Sequence, residues 1–261
     1  MKKTKETNSV LEVRDVSVGY PNKLVCKNIS FSVGIGKCTA IVGVNGIGKS
    51  TLLRTLGKLQ PLLGGSICID GTSIGEMKPH QFAKRTSVVL TEPVASKNLT
   101  VQELVALGRQ PYTNWLGNLT PYDRKKVGEA LDVLELNDLG DKKCFELSDG
   151  QLQRVLIARA LAQDTDIILL DEPTTHLDLF HKVKILKLLK SIAHHTNKTL
   201  VFTTHEIEMA IQLCDTMLIL DGNENRFDQP SKLIENKAFE RLFPTETVQF
   251  DAATGTFRIQ K

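Results

Sequence analysis

Residues 43–51 read Gly43-Val44-Asn45-Gly46-Ile47-Gly48-Lys49-Ser50-Thr51, which matches the pattern G-x-x-x-x-G-K-[ST]. An apolar run at 38–42 precedes this loop as a strand would, and a segment with helical spacing follows it at 50–56. Glycines in such a loop let backbone N–H groups surround phosphate oxygens, and the N-terminus of the following helix adds positive potential. The motif therefore predicts a binding site for a nucleoside triphosphate.

The polar side chains of this loop have separate expected roles. Lys49 would reach the β- and γ-phosphates, and the Ser50 hydroxyl would ligate Mg²⁺. The expected ATP contacts in the loop are Gly43, Asn45, Gly46, Gly48, Lys49, Ser50 and Thr51. ATP and Mg²⁺ are thus the predicted cofactors.

The composition is that of an ordinary globular protein. The 261 residues are 41% hydrophobic and 24% charged, and a net charge of +3 is too small to indicate a nucleic-acid partner. No apolar run approaches the ~18 residues of a membrane span. The basic start is followed by Glu6-Thr7-Asn8, where a signal peptide would be apolar. The five cysteines are scattered without a C-x-x-C pair, so we expect reduced thiols in the cytosol and no zinc site.

Strand-like and helix-like segments alternate along the chain. Alternating or continuous apolar runs predict strands at 11–18, 29–33, 38–42, 66–71, 86–90, 167–170, 199–203 and 217–220. Helical spacing predicts helices at 101–107, 127–134, 151–162, 180–193 and 206–213. This order predicts an α/β core that is interrupted by a helical insert, with a small β-rich end at 245–259.

Two carboxylates follow the continuous apolar strand at 167–170. A carboxylate at the carboxyl end of a buried strand beside the phosphate-binding loop at 43–51 (the P-loop) can bind Mg²⁺ or its water ligands, so we assign that role to Asp171. Glu172 is then placed to polarise an attacking water. The alternative is that the two residues simply cap a strand.

Three further residues are candidates for the same site. Ser148, in Leu147-Ser148-Asp149-Gly150-Gln151, could cap a helix whose N-terminus faces an anion, although Ser-Asp-Gly is also an ordinary turn. His205 directly follows a predicted strand, where side chains face the ligand crevice of an α/β fold. Tyr20 could stack on a purine base or be a partly exposed core tyrosine. We interpret the other five histidines as surface residues.

Together these motifs resemble the nucleotide-binding subunits of ATP-binding cassette (ABC) transporters over about 11–233, in the family order A-loop, Walker A, signature, Walker B, D-loop and H-loop. The resemblance implies an α/β fold, a RecA-like P-loop NTPase core with an antiparallel β subdomain and an inserted helical subdomain. It implies a single domain, 10–261. The expected parts are the core with its β subdomain (10–90 and 165–233), the helical signature subdomain (91–164) and a small C-terminal extension (234–261).

The resemblance also implies that two copies of the chain pair head to tail, each ATP lying between 43–51 of one copy and 148–151 of the other. The expected contacts from the second copy are Ser148, Gly150 and Gln151, with Asp178 of the D-loop at the interface. The expected catalytic residues are Glu172, His205 and Lys49, and the expected Mg²⁺ ligands are Ser50 and Asp171. ATP binding would then drive closure of the dimer, and hydrolysis would release it.

The segment 100–112 is similar to one found in ATPases of iron–siderophore, haem and cobalamin importers, and 172–179 points the same way. The implied partners are a membrane permease, which would hold this chain at the cytoplasmic face of the membrane, and indirectly an extracytoplasmic binding protein. We expect the permease contact near 91–115, where Tyr112 and Trp115 could either take part or pack in the core.

Alternative functions stay open at this point. The cassette could serve another cargo or an exporter. A soluble ABC-type ATPase of DNA repair or ribosomes would be expected to carry long coiled coils, zinc motifs or two cassettes, which this sequence lacks. A nucleotide kinase would explain neither the signature nor His205.

The sequence departs from the family pattern at two important positions. Thr91 stands where a Q-loop glutamine is usual, so we assign the Mg²⁺ contact of that loop neither to Thr91 nor to Glu92. Asp149 replaces the first signature glycine, and its carboxylate would repel a nearby γ-phosphate. The Asp149 side chain must therefore point away or lower the affinity, and we expect Ser148 and Gly150 to bind nonetheless.

Overall fold

Two sheets organise the part of the chain that this computed structural model describes, residues 9–92, 97–222, 224–243 and 246–260. The strands are β1 (Ser9–Tyr20), β2 (Lys23–Gly34), β3 (Cys38–Gly43), β4 (Gly64–Ile69), β5 (Thr72–Ser73), β6 (Thr86–Val89), β7 (Ile167–Leu170), β8 (Thr199–Thr203), β9 (Thr216–Leu220), β10 (Arg226–Asp228), β11 (Val248–Asp251) and β12 (Thr256–Ile259). The helices are α1 (Lys49–Leu56), α2 (Pro79–Ala83), α3 (Val101–Ala106), α4 (Pro121–Val133), α5 (Asp149–Ala162), α6 (Leu179–Thr196), α7 (Ile207–Leu213) and α8 (Pro230–Glu235). The basic start of the sequence, within 1–8, lies outside the described residues.

The larger sheet has the strand order β10-β9-β3-β8-β7-β6 and is parallel apart from its β10 edge. Strand β3 lies between β8 and β9, so the strand that enters the P-loop is paired on both sides. The continuous burial of β3, β7 and β8 explains why each reads as an uninterrupted apolar run. The carboxyl ends of these strands meet at one edge of the sheet, which is where the candidate site lies.

The smaller sheet is antiparallel, with the order β2-β1-β4-β5. Strand β1 is longer than its alternating pattern predicts, because irregular pairing near Val13 and Val16 lets it continue through Asp15, whose φ is 48°. One hydrophobic cluster joins this sheet to α1 and to one face of the larger sheet. A second cluster covers the opposite face with α5, α6 and α7.

Helices α3, α4 and α5 form the helical part of the chain between β6 and β7, as the sequence indicates. Each begins with a reciprocal cap, at Thr100, Thr120 and Ser148. Helix α4 starts at Pro121, well before its apolar spacing begins at Val127, because the residue that its first turn buries is the charged Asp123. No helix among the described residues is long and apolar enough to cross a membrane.

A buried ion pair holds this helical part together. Arg109 and Asp123 are 1% and 2% exposed, and Arg109 Nε donates to Asp123 Oδ1 at 2.8 Å. The same guanidinium donates to the carbonyl of Ala162 at the end of α5, and its carbon lies 3.9 Å from the centre of the Tyr112 ring. Tyr112 therefore packs on Arg109, whereas Trp115 is 91% exposed.

The C-terminal residues form a hairpin, β11–β12, as the sequence predicts for 245–259, although residue 245 itself lies outside the described residues. Phe250 and Phe257 pack together with ring centres 5.0 Å apart, and Phe250 also belongs to the larger core cluster. The N–H of Phe257 donates to the Glu208 carboxylate at 2.9 Å, which ties the hairpin to α7.

Candidate active site

The loop between β3 and α1 forms an open cradle of backbone groups. Gly48 has φ 112°, and an added Cβ would lie 2.9 Å from the Val25 side chain, so a glycine is required there. Gly46 has φ 79° and nothing within 4 Å of the place a Cβ would take. The loop amides at the start of α1 therefore have room for a phosphate group.

Lys49 is bound within this loop. Its side chain is 5% exposed, and Nζ donates to the carbonyl oxygens of Gly43 at 2.9 Å and Val44 at 3.2 Å. Burial lowers the pKa of Lys49, while Glu172 and Asp171 oppose that shift. The ammonium group is thus fixed at the mouth of the loop, where it can meet phosphate oxygens.

Ser50 and Asp171 meet as the sequence predicts. Ser50 Oγ donates to Asp171 Oδ1 at 2.8 Å, and Asp171 is 3% exposed. Hydroxyl and carboxylate oxygens are ligands of the kind that Mg²⁺ prefers, in combination with phosphate and water oxygens. The pair therefore fits a magnesium ion, which the two side chains would hold and which would neutralise charge on the phosphates.

Glu172 is held by three partners. Its Oε1 contacts His205 Nε2, its Oε2 accepts from Thr175 Oγ1 at 3.1 Å, and its N–H donates to Thr203 Oγ1 at 2.9 Å. Glu172 has φ 45°, a left-handed conformation that non-glycine residues rarely adopt. These contacts fix a half-buried carboxylate directly beside the Ser50–Asp171 pair, where it could take a proton from water.

His205 connects Glu172 to the P-loop. Its Nδ1 lies 3.4 Å from Lys49 Nζ, while its other ring nitrogen contacts Glu172. Its side chain is 43% exposed, so one side of the ring remains open to solvent. The site residues of the Walker motifs and His205 thus form one continuous network.

Three signature residues, Ser148, Gly150 and Gln151, lie outside this network, at the start of α5. Ser148 Oγ accepts from the Gln151 N–H at 3.3 Å, and the Ser148 N–H donates to Gln151 Oε1 at 3.0 Å, so these two residues cap α5. Asp178 caps α6 and accepts from the N–H and ring Nδ1 of His181, both at 2.9 Å. The pKa of Asp178 is lowered, first by the His181 N–H. Gly150 and His181 line a cavity of about 170 Å³ between these two helix starts.

Tyr20 ends β1, as expected, and is 54% exposed. The hairpin that it terminates borders the P-loop, since Val25 of β2 is the residue beside Gly48. Its ring is therefore available for stacking. The other five histidines are exposed, as predicted.

Thr91 and Asp149, the two residues that depart from the family pattern, line the same cavity of about 240 Å³. Asp171, Glu172 and Lys97 line it as well. Glu92 also lines it, and its carboxylate accepts from Arg54 Nη2 of α1 at 2.7 Å. The structure thus ties the residue after Thr91 to the P-loop helix. The next residues, 93–96, lie outside the described part.

Sequence reasoning missed Thr203 and Thr175, both of which bond to Glu172. Thr175 is exposed and lies in a turn, which gives no signal of a contact. Thr203 is a hydroxyl residue at the carboxyl end of a buried strand, just before Thr204 and His205. That position is the one signal that could have identified it.

Comparisons with known proteins identify the family. The ABC transporter family profile matches residues 26–175. The petrobactin import ATP-binding protein of Bacillus subtilis strain 168 is 38% identical over 244 residues, which are 92% of this chain and 96% of that protein. The ferric enterobactin transport ATP-binding protein of Escherichia coli strain K12 is 34% identical over 240 residues, 91% of this chain and 89% of that protein.

A solved structure shows the same fold. The dimeric structure of a bacterial ABC transporter cassette is 30% identical, has a TM-score of 0.72, and aligns with 84% of this chain and 98% of that chain. With a P-loop, paired carboxylates and a strand-end histidine in one network, this protein belongs to the ABC transporter family as an ATP-binding subunit with ATPase activity.

Proposed function

We propose that this chain is the ATP-hydrolysing subunit of an importer for an iron chelate, such as a siderophore or haem, or for cobalamin. The names of two relatives, a petrobactin import protein and a ferric enterobactin transport protein, support the siderophore class. The segment 100–112 supports the wider group of metal-chelate importers. In that role the chain couples ATP binding and hydrolysis to movement of cargo through a membrane permease.

The relatives named above carry the transport part of the proposal, and the contact chain from Lys49 through His205 to Glu172 carries the ATP-hydrolysing part. Lys49 neutralises charge on the β- and γ-phosphates, and the loop amides orient them. His205 contacts the γ-phosphate, and Glu172 polarises the attacking water and accepts its proton. Ser50 and Asp171 hold Mg²⁺.

The remaining ATP contacts follow from the same assignment. The loop residues are Gly43, Asn45, Gly46, Gly48 and Thr51. Tyr20 stacks on the adenine ring, which its exposed position at the edge of the P-loop supports.

A second copy of the chain completes the site. Ser148, Gly150 and Gln151 make no contact with the P-loop network among the described residues, so they are free to serve the ATP of a partner. Next to Asp178, Leu179 and Phe180 are 68% and 72% exposed, which supports an interface on this face. The related cassette of known structure is itself dimeric.

The permease contact lies on the helical part, near 91–115. Trp115 and the neighbouring Leu116 are 91% and 60% exposed, and this turn is anchored through Tyr112 to the buried Arg109. Such an exposed apolar turn on a rigid base suits a protein partner. We place the chain at the cytoplasmic face of the membrane, held there by the permease, with an extracytoplasmic binding protein acting only indirectly.

The test begins with purification of the chain together with the membrane subunit that it brings down from native membranes. The complex is reconstituted in liposomes, and ATP hydrolysis is measured with ferric siderophores, haem and cobalamin, each delivered by a binding protein. A complex that contains Glu172→Gln serves as the matched control for background hydrolysis. Stimulation by one cargo supports the proposal and identifies the class.

Other outcomes separate the parts of the proposal. If a membrane subunit is found but ATP hydrolysis by the complex responds to none of these cargoes, the role in transport is retained and the metal-chelate class is contradicted. Absence of any membrane partner would contradict the coupling to transport and favour a role away from the membrane.

A further inference from the structure

Thr203 bonds to both carboxylate residues of the active site through a single hydroxyl group. Thr203 Oγ1 donates to Asp171 Oδ1 at 2.7 Å and accepts from the Glu172 N–H at 2.9 Å. A hydroxyl can serve both partners, because it carries one donor and also accepts. The side chain is 0% exposed, so water cannot replace either bond.

One of these bonds holds Asp171, the proposed Mg²⁺ ligand, and the other holds Glu172, which is proposed to polarise water. Asp171 Oδ1 accepts from Thr203 and also from Ser50 Oγ at 2.8 Å, so the hydroxyls fix the rotation of the carboxylate. Because these two donors take the same oxygen, the direction of the other carboxylate oxygen is fixed as well. Thr203 thus holds the Asp171 carboxylate from β8, the strand that lies between β7 and the P-loop strand β3.

The bond to the Glu172 amide acts on the backbone. Glu172 has φ 45°, which is an unfavourable conformation for a residue with a side chain, so it persists only where its surroundings hold it. The acceptor for its N–H is Thr203 Oγ1, and the neighbouring Asp171 N–H donates to the Val89 carbonyl at 2.8 Å. The turn after β7 is therefore held from β6 on one side and from β8 on the other.

Position alone does not require a hydroxyl at residue 203. The three preceding residues of β8, Leu200, Val201 and Phe202, are apolar and fully buried, and a valine would fill nearly the same volume as Thr203. A valine would, however, leave the Glu172 N–H without its acceptor and remove one donor from Asp171. The chemistry, not the packing, accounts for threonine here.

We infer that Thr203 is a positioning residue for ATP hydrolysis, because it sets the separation between the carboxylate on the metal side and the carboxylate on the water side. The inference rests on the function proposed above, in which Asp171 holds Mg²⁺ and Glu172 polarises water. Thr203 itself touches neither ATP nor water in this scheme. It acts through the two residues to which it bonds.

Thr203→Val is the direct test. We expect kcat to fall on the order of tenfold or more and the Mg²⁺ concentration for half-maximal ATPase to rise by a similar factor, which corresponds to loss of a hydrogen bond to a charged group. The KM for ATP in Mg²⁺ should rise by no more than that factor, since the P-loop contacts, which do not depend on the metal, are intact. Thr203→Ser retains the hydroxyl and should restore most of both values.

A binding measurement gives a readout apart from turnover. Calorimetric titration of the full-length chain with ATP, once in Mg²⁺ and once in EDTA, measures how much the metal strengthens ATP binding. For Thr203→Val we expect that enhancement to shrink on the order of tenfold, with the affinity in EDTA unchanged. Thr203→Ser should match the unmodified chain.

Thr39 provides the matched structural control. It is also 0% exposed and lies on the neighbouring strand β3, where its hydroxyl bonds to Thr216 at 2.8 Å, away from the carboxylates. Thr39→Val should lower thermal stability but leave the Mg²⁺ dependence unchanged. If both valine variants are equally unstable and only Thr203→Val loses its response to Mg²⁺, the positioning role is supported.

The outcomes distinguish this inference from the proposed function. Thr203→Val with an unchanged kcat and an unchanged Mg²⁺ response would overturn the inference, while an active unmodified complex would leave the proposed function intact. An unmodified complex that hydrolyses no ATP would overturn the proposed function, and the inference about Thr203 with it. If Thr203→Val does not fold, a Thr203→Ser protein that folds but has lost its Mg²⁺ response contradicts the role of the hydroxyl.

Discussion

Lys49 Nζ lies 3.4 Å from His205 Nδ1, although 156 residues separate the two in the chain. An ammonium group has only donors, so Nδ1 is the acceptor of this pair, and Nε2 faces the Glu172 carboxylate. The two neighbours thus orient the ring, with one nitrogen toward each.

Replacement of this ring should separate binding from turnover. We expect His205→Ala to lower kcat about a hundredfold or more, because it removes both the proposed contact to the γ-phosphate and one partner of Glu172. ATP affinity should fall much less, since Lys49 keeps its two carbonyl contacts. Steady-state ATPase and ATP titration measure the two effects, and His195→Ala is the control, because that exposed ring bonds to Ser191 on its own helix. Equal loss in both variants would contradict the assignment.

Glu172→Gln should bind ATP and hardly hydrolyse it. The amide oxygen can still accept from Thr175 or His205, so the local structure is retained, but the amide cannot take a proton from water. We expect kcat to fall about a thousandfold or more, and a stable dimer to form in ATP. Size-exclusion chromatography with and without ATP checks the dimer. Turnover near that of the unmodified chain would move the base to another residue.

Gly150→Ala tests whether the signature acts in a second copy. The added Cβ would have its nearest neighbour, His181 Cδ2, at 3.5 Å, so the folded chain accommodates it. We therefore expect normal thermal stability and normal ATP binding by the single chain, but weaker ATP-dependent dimerisation and lower ATPase. Unchanged dimerisation, measured by sedimentation in ATP with the Glu172→Gln background, would argue against a phosphate contact at Gly150.

Asp149→Gly restores the glycine that is usual in the family. Asp149 is exposed and lies in the first turn of α5, where a carboxylate affects the helix N-terminus by about 1 kcal/mol or less. We expect ATP affinity to change by less than about tenfold. An affinity increase of tenfold or more, measured by the same titration, would mean that the carboxylate faces the phosphate after all.

The buried ion pair of the helical part should make stability sensitive to acid. Burial raises the pKa of Asp123, but hydrogen bonds from Thr120 and Arg109 lower it by more. The pKa of Asp123 in the folded protein therefore lies below its usual value. Its contribution to the free energy of unfolding is therefore present above the unfolded value of about 3.9 and is lost as the pH falls through the folded value. Asp123→Asn leaves the Arg109 charge buried without its partner, so we expect a loss of about 3–5 kcal/mol at pH 7.

Denaturant unfolding at several pH values measures this dependence. The stability of Asp123→Asn should vary less with pH in the acid range than that of the unmodified chain. Asp132→Asn, on the same helix but exposed, should leave the profile unchanged. An identical acid profile in Asp123→Asn would contradict the assignment of the effect to the ion pair.

Much of the fold could be predicted from the sequence, because the central strands are buried on both faces and read as continuous apolar runs. The site residues on β3, β7 and β8 could be placed at one edge for the same reason. Element ends were less predictable. The irregular pairing of β1 breaks its alternation, and the first turn of α4 buries a charged residue, Asp123, and so lacks an apolar pattern.

Side-chain contacts between distant segments had no local signal. The Thr203 hydroxyl and the burial of Arg109 depend on which strands and helices become neighbours. The same holds for the shared cavity of Thr91 and Asp149, which are far apart in sequence. The role of a residue can therefore be predicted from its type only where it belongs to a motif whose three-dimensional surroundings are known.

The position of β3 at the centre of its sheet has a consequence for synthesis of the protein. Both strands that pair with the P-loop strand, β8 and β9, are synthesised more than 150 residues after it; Thr39 and the Thr216 to which it bonds are 177 residues apart. The nucleotide pocket therefore cannot assemble until those strands have been made, and until then β3 is an apolar strand without its sheet partners. A nascent chain that is stalled before β9 should need protection by chaperones, whereas the antiparallel sheet, whose strands are consecutive or nearly so, can form first.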